Sequence, residues 1–303
     1  MMYTPIFESS ARRRMRTAKT PMILTAYLLA VLLFSLSQLS GLFRGVTTGQ
    51  MRRSTEWYIW LTALELFLIV LVAPALSAGS IAGERERQTF DLLLVTGVGV
   101  RKIIIGKLME SFAFLALLIL MSAPVMALAF ATSGVTLGQI MINIFWLLLI
   151  SLEALSVGML LSVLCRRSLT AIIGAYMAVF LLGGLSWALA KHGPLAAAYT
   201  YQSLRLLEET PTWQVLLGMP LPIFFNPAVG LVTMLAHQTG ILHNTMQNTL
   251  RLQDIYSAAK IAGFGAVSGV CFAASCLSTA AMTALSVLVL HMQSGTAAGR
   301  RQK

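Results

Sequence analysis

The chain has 303 residues, 57% of them hydrophobic and 11% charged, where a soluble domain carries about 25% charged residues. Several apolar runs exceed the roughly 18 residues that mark a membrane-spanning helix, which excludes an ordinary soluble globule and implies a polytopic membrane protein. The formal net charge is +11, yet the basic residues flank apolar runs and form no aromatic-plus-basic module, so the charge reads as membrane orientation and not as nucleic-acid binding.

In chain order, an amphipathic helix comes first. Thr4-Pro5 starts it, Phe7, Ala11, Met15 and Ala18 share one face, and Arg12, Arg13, Arg16 and Lys19 lie elsewhere. A basic amphipathic helix over 4–19 is expected to lie on membrane lipid. Six spans follow, at 21–43, 57–79, 109–131, 138–164, 168–190 and 259–292. Every backbone amide in lipid must bond internally, so all six are helices.

Two acids fall inside spans, Glu65 in the second and Glu153 in the fourth. An ionisable residue at membrane depth is a functional candidate, here for a polar substrate path. The competing reading has each acid protonated or bonded to a neighbouring helix. In the sixth span Gly265, Gly269 and Ala273 recur every fourth residue, a spacing that lets helices approach closely inside the bundle or across a dimer.

The stretch 191–258 is broken by Pro220, Pro222 and Pro227. Asn226 before Pro227 is a helix-start signal and Gly240 the matching stop. About 13 residues at 1.5 Å each reach only about 20 Å, short of a hydrocarbon core of about 30 Å. A second short helix is expected from Thr210-Pro211 to Gly218. The region therefore reads as two short helices on, or dipping into, the outer face.

Orientation follows from Lys and Arg. With the N-terminus inside, fifteen fall on the inner side (Arg12, Arg13, Arg14, Arg16, Lys19, Arg85, Arg87, Arg101, Lys102, Lys107, Arg166, Arg167, Arg300, Arg301 and Lys303). Seven fall outside, at Arg44, Arg52, Arg53, Lys191, Arg205, Arg251 and Lys260. That bias places both termini in the cytoplasm.

Chemistry of its own is hard to find. Cys165, Cys271 and Cys276 form no CxxC pair, and His192, His237, His243 and His291 form no HExxH pair. No GxSxG elbow occurs. The stretch 97–108, "GVGVRKIIIGKL", is the nearest approach to a phosphate loop, but Arg101 stands where the first glycine belongs and Leu108 where Ser or Thr belongs. The chain is thus expected to bind no metal or cofactor and to be no enzyme. Gly97 and Gly99 read as a helix stop and hinge.

One stretch breaks the apolar pattern. Residues 83–97, "GERERQTFDLLLVTG", put Glu84, Arg85, Glu86 and Arg87 between two spans. The pairs Glu84/Arg87 and Arg85/Thr89 are one helical turn apart, and Phe90, Leu93 and Leu94 fall at i, i+3 and i+4. A short helix with ionic ends and an apolar stripe, outside the membrane, has no core of its own to bury that stripe. It lies on the bilayer or fits a groove on a cytoplasmic partner.

The stretch 77–111 resembles the cytoplasmic loop of ABC-2 type permeases, the membrane subunits of bacterial ABC exporters. Gly83, Glu84, Arg85, Glu86, Thr89, Phe90, Asp91, Leu93, Leu94, Arg101, Ile103, Gly106 and Lys107 fit the pattern of that loop. Residues 4–21 resemble the basic elbow helix that opens these permeases, with Ser9-Ser10-Ala11 where Lys-Glu-Leu is common.

The resemblance implies an all-α integral membrane fold of the ABC-2 (type V) exporter type, filling 1–303. Six spans, an elbow helix, a cytoplasmic coupling loop at 80–108 and short external helices within 191–258 make up the subunit. It implies a second permease subunit, in a homo- or heterodimer, and an ABC ATP-binding subunit that carries ATP and Mg. The segment 84–95 would be the coupling helix, with Glu84, Arg85, Glu86, Arg87, Phe90, Asp91, Leu93 and Leu94 touching the ATPase. The implied function is export of an amphipathic drug, peptide or lipid-like substrate across the bacterial plasma membrane. The alternative is a proton-coupled secondary transporter using Glu65 and Glu153. Such a carrier usually shows an internal repeat, and none relates 1–150 to 151–303.

Overall fold

The computed structural model describes residues 19–39, 48–90, 99–133, 135–192, 224–239 and 264–301. Among them are seven helices and no strand: α1 Lys19–Leu39, α2 Thr48–Glu86, α3 Val100–Ser133, α4 Leu137–Leu164, α5 Ser168–His192, α6 Pro227–Thr239 and α7 Phe264–Arg301. Five of these are long and apolar enough to cross a membrane, namely α2, α3, α4, α5 and α7. Within the 21 residues of α1 the described apolar stretch, Leu24–Ser37, does not by itself reach span length, so the described residues carry five such helices where six were expected. The expected elbow at 4–19 and the short helix at 210–218 lie outside the described residues, apart from Lys19.

The helices run longer than their apolar stretches. The 39 residues of α2 make a rod of about 58 Å, roughly twice the hydrocarbon thickness. Its charged end therefore stands clear of any bilayer that covers its apolar middle. Pro74 interrupts the ladder inside α2, and the Tyr176 hydroxyl of α5 donates to the Leu71 carbonyl in the turn that the proline loosens.

Local rules explain several helix ends. Thr136 caps α4 in a reciprocal box: its side chain accepts from the Gln139 amide at 3.4 Å, and the Gln139 side chain accepts from the Thr136 amide at 2.8 Å. Asn226 opens α6, with its side chain accepting from the Ala228 amide at 3.1 Å and Pro227 at the first helical position. Gly99 opens α3, its carbonyl accepting from the Lys102 and Ile103 amides at 2.9 and 3.3 Å. It was expected to close or hinge a helix; it sits instead where the next one starts.

The core sits around α4, which meets α2, α3, α5, α6 and α7. Leu147, Leu155 and Met159 of α4 are fully enclosed. At Gly158 an added Cβ would collide with the Ser77 hydroxyl and come within 3.3 Å of the Ala78 amide nitrogen of α2. Only glycine lets those two backbones come so close. The short helix α6 is wedged between α4 and α7. A Cβ at Gly230 would collide with the Trp146 ring and lie 2.9 Å from Cys271 Cβ.

The outward faces are apolar. Leu169 and Phe180 of α5 are 69% and 70% exposed, surface that a bilayer covers. Gly265, Gly269 and Ala273 of α7 also face outward, with nothing within 4 Å of a Cβ added at either glycine. Among the described residues that spacing does not serve packing within the chain's own bundle, the first of its two expected roles.

Candidate functional site

At one end of the bundle the C-termini of α2 and α4 meet the N-termini of α3 and α5. The charged stretch sits here, and its described part, through Thr89, is not the start of a separate short helix as expected over 84–95. Glu84, Arg85 and Glu86 are the last turn of α2 itself. The chain then turns at Arg87 and Gln88. The Gln88 amide donates to the Arg85 carbonyl and the Thr89 amide to the Glu84 carbonyl, both at 3.0 Å. Gln88 has φ +58°. This is a Schellman stop, with a glutamine where glycine usually supplies the left-handed residue. The sequence signal for it was weak because glutamine seldom takes that conformation.

The charges are directed largely to this chain's own helices. Lys107 of α3 pairs with Glu84 at 2.6 Å and also donates to the Ser80 carbonyl at 3.2 Å. Arg85 donates to the Val163 carbonyl of α4 at 2.8 Å and to Gln293 of α7 at 2.5 Å. Its guanidinium lies 5.2 Å from the centre of the Phe90 ring. Glu86 accepts from the Ser168 hydroxyl at 2.5 Å and the Ser168 amide at 3.1 Å, which caps α5. Glu86 ends α2 beyond its apolar stretch. The Ser168 hydroxyl, then the Ser168 amide, hold its carboxyl below the usual carboxylate range. One turn earlier, the Ser162 hydroxyl of α4 accepts from the Ile81 and Ala82 amides at 2.9 and 3.0 Å.

Phe90 departs from expectation. It is 7% exposed and belongs to the chain's own core. A side chain already buried there, with Arg85 over its ring, is not free to fill a partner's groove. Asp91, Leu93 and Leu94 lie outside the described residues. What the described part offers outward is mainly cationic. Arg87, Arg101, Lys102, Arg166 and Arg167 are all exposed at this end, with Glu86 as the exposed acid among them.

The two acids within the spans sit deep in the bundle, well away from that end in sequence. Glu153 of α4 is 6% exposed. One oxygen accepts from the Ser278 hydroxyl of α7 at 3.0 Å, and the other has no hydrogen-bond partner among the described residues. Glu65 of α2 is wholly buried with neither oxygen bonded among the described residues. The structure does not bring the two together: Glu65 faces α1 and α3, and Glu153 faces α7. No set of three or more His, Cys, Asp or Glu that could hold a metal occurs among the described residues.

Residues 62–295 match the family model of the ABC-2 family transporter proteins. That match runs from the middle of α2 through most of α7, well over half of the chain. No curated protein matches the chain in sequence. With five helices able to span a membrane and a family match of this extent, the chain belongs to the ABC-2 transporter family, as a multi-pass membrane permease subunit of an ABC transporter that associates with an ABC ATP-binding subunit.

Proposed function

We propose that this permease exports an amphipathic substrate across the bacterial plasma membrane, driven by ATP hydrolysed on its partner, and that the stroke enters through the charged end of α2. One observation carries the reading. The last turn of α2 is bonded to α3 through Lys107, to α4 through Val163, to α5 through Ser168 and to α7 through Gln293. A push on the segment that follows Arg87 therefore reaches five helices together and need not be relayed one by one.

In this reading the eight residues of the sequence-based contact set divide by role. Glu84, Arg85 and the buried Phe90 hold the segment to the bundle, and Glu86 adds its bonds to Ser168. Glu86 and Arg87, both exposed, face the ATP-binding subunit, with Asp91, Leu93 and Leu94 following them. The exposed cations at this end suit an acidic surface on that subunit. ATP and Mg stay on the partner, and this chain catalyses nothing itself. Two permease subunits pair in the membrane, each with α1 completing a sixth span behind an elbow at 4–19. Both termini lie in the cytoplasm, which puts α6 on the outer side. The apolar interior favours amphipathic cargo.

The test is charge reversal at Arg85 and Arg87 together in the assembled transporter. The expected outcome is ATP hydrolysis that no longer responds to substrate and transport that stops. A doubly reversed complex that assembles and transports at the normal rate overturns the assignment. Arg85→Glu alone should lower the stability of the isolated chain, whereas Arg87→Glu alone should weaken only association with the ATPase.

A further inference from the structure

We propose that the interior of the bundle holds a binding site for one monovalent metal cation, an alkali ion, centred on Glu65. Four helices build it. On α2, Tyr58, Thr62 and Glu65 stand at i, i+4 and i+7 and so share one face. From α1 comes Tyr27, from α3 Ser122, and from α4 Asn143. Five of the six are wholly enclosed and Tyr27 is 4% exposed.

Their contacts place them together. Asn143 donates to the Thr62 hydroxyl at 2.9 Å and lies against Met126 sulfur at 3.7 Å. Ser122 lies beside both Tyr27 and Glu65. Its hydroxyl nevertheless donates to the Ile119 carbonyl at 2.8 Å, and no hydrogen bond to the Glu65 carboxyl forms at ordinary distance. Tyr27 and Tyr58 are both close enough to Glu65 to feel its charge, and Tyr58 lies beside Asn143.

What the cluster lacks is a positive charge opposite Glu65, since the Tyr27 and Tyr58 hydroxyls can donate but neither forms a hydrogen bond to its carboxyl. Both Glu65 oxygens, the Tyr27 and Tyr58 hydroxyls and the Asn143 carbonyl oxygen have no hydrogen-bond partner among the described residues. Glu65 pairs with no basic side chain among those residues either. Buried polar atoms are rarely left in this state, and a buried carboxylate must be neutralised. A proton neutralises the charge and adds one donor, which can serve only one of the several unpartnered oxygens. A metal cation draws several oxygens at once.

The chemistry of the donors narrows the class. All are oxygens, with no imidazole or thiolate, which suits a hard cation. A single carboxylate supplies a single negative charge. In an interior of low dielectric a divalent ion would leave one positive charge uncompensated, so the site matches a monovalent ion. Bound there, the ion ties α1, α2, α3 and α4 at one point. The proposal is independent of the coupling role of α2's charged end.

The test uses the full chain, purified with its ATP-binding subunit, at fixed ionic strength in choline chloride, sodium chloride, potassium chloride or lithium chloride. A ligand that binds only the folded state raises the unfolding midpoint as its concentration rises. The expected result is a saturable rise of the midpoint in an alkali chloride over choline chloride, lost in Glu65→Gln. Tyr58→Phe keeps the charge and removes one oxygen, and its rise should need several-fold more cation. Equal midpoints in all four salts overturn the proposal, as does an undiminished rise in Glu65→Gln. A midpoint blind to the cation but falling as pH rises shows a proton there alone, and also overturns it. Should Glu65→Gln fail to fold, the wild-type salt series and Tyr58→Phe decide the matter.

Discussion

Lys107, at the start of α3, and Glu84, at the end of α2, meet at 2.6 Å across the mouth of the loop that joins their helices. The pair bridges the end of α2 and the first turns of α3, so it closes the base of the connection between them. Their side chains are 19% and 32% exposed, which leaves the charges partly shielded from water but still screened by salt.

The first prediction concerns that pair. Lys107→Glu sets two acids side by side and should cost about 1 kcal/mol of stability, the upper end for partly exposed pairs. The swapped double variant, Glu84→Lys with Lys107→Glu, should recover most of the loss. Thermal unfolding of the wild type, Lys107→Glu, Glu84→Lys and the double variant gives the coupling directly. If the swap recovers nothing, the attraction between these two charges is not what closes the loop.

A second prediction follows from the backbone at Gln88, whose φ is +58°. Residues other than glycine take this conformation at a cost of about 1 kcal/mol. Gln88→Gly should therefore stabilise the end of α2 by up to about 1 kcal/mol, less the entropy a glycine adds to the unfolded chain. Gln88→Val, branched at Cβ, should destabilise it. Hydrogen exchange of the Gln88 and Thr89 amides, which donate the two closing bonds, reports the effect locally. Faster exchange in Gln88→Gly would contradict the account.

The same residue shows where sequence reading stops. All-helical character was legible from hydropathy, and the start of α6 from Asn226-Pro227, because both signals are local. The end of α2 was not, since its stop residue is a glutamine and the charges on either side read as one continuous short helix. The stripe of Phe90, Leu93 and Leu94 was visible as a periodicity. Periodicity names a face and not the surface it meets, and Phe90 turned out to meet its own bundle. Gly265 and Gly269 carry the converse lesson: the spacing suited close packing inside the bundle or across a dimer, and their outward position bears only on the first of these. The pairing of Glu84 with Lys107 and of Arg85 with Gln293 joins residues far apart in sequence, and only the packed helices bring them together. The oxygens around Glu65 come from four helices in the same way. A scan for histidine, cysteine and acidic spacings could not have found them.

The last prediction is a pH dependence at Glu86. In the folded chain Ser168 bonds its carboxylate through the hydroxyl and the amide, which lowers its pKa from the unfolded value of about 4.3. A depressed carboxyl contributes its full stabilisation above the unfolded pKa and loses it as pH falls through the folded one. Titration of the unfolding midpoint from neutral pH downward should therefore show a decline that begins near pH 4–5. Part of that decline belongs to Glu86 and should vanish in Glu86→Gln, which keeps an oxygen to cap α5 but cannot titrate. Because Glu86 is exposed, the difference between the two proteins should shrink as salt is added. Ser168→Ala removes the hydroxyl donor and should bring the acid limb of the wild-type curve toward that of Glu86→Gln. An acid limb unchanged in both variants would mean that the Glu86–Ser168 bonds do not fasten α2 to α5 in solution, and the link to α5 would drop out of the five-helix connection at this end.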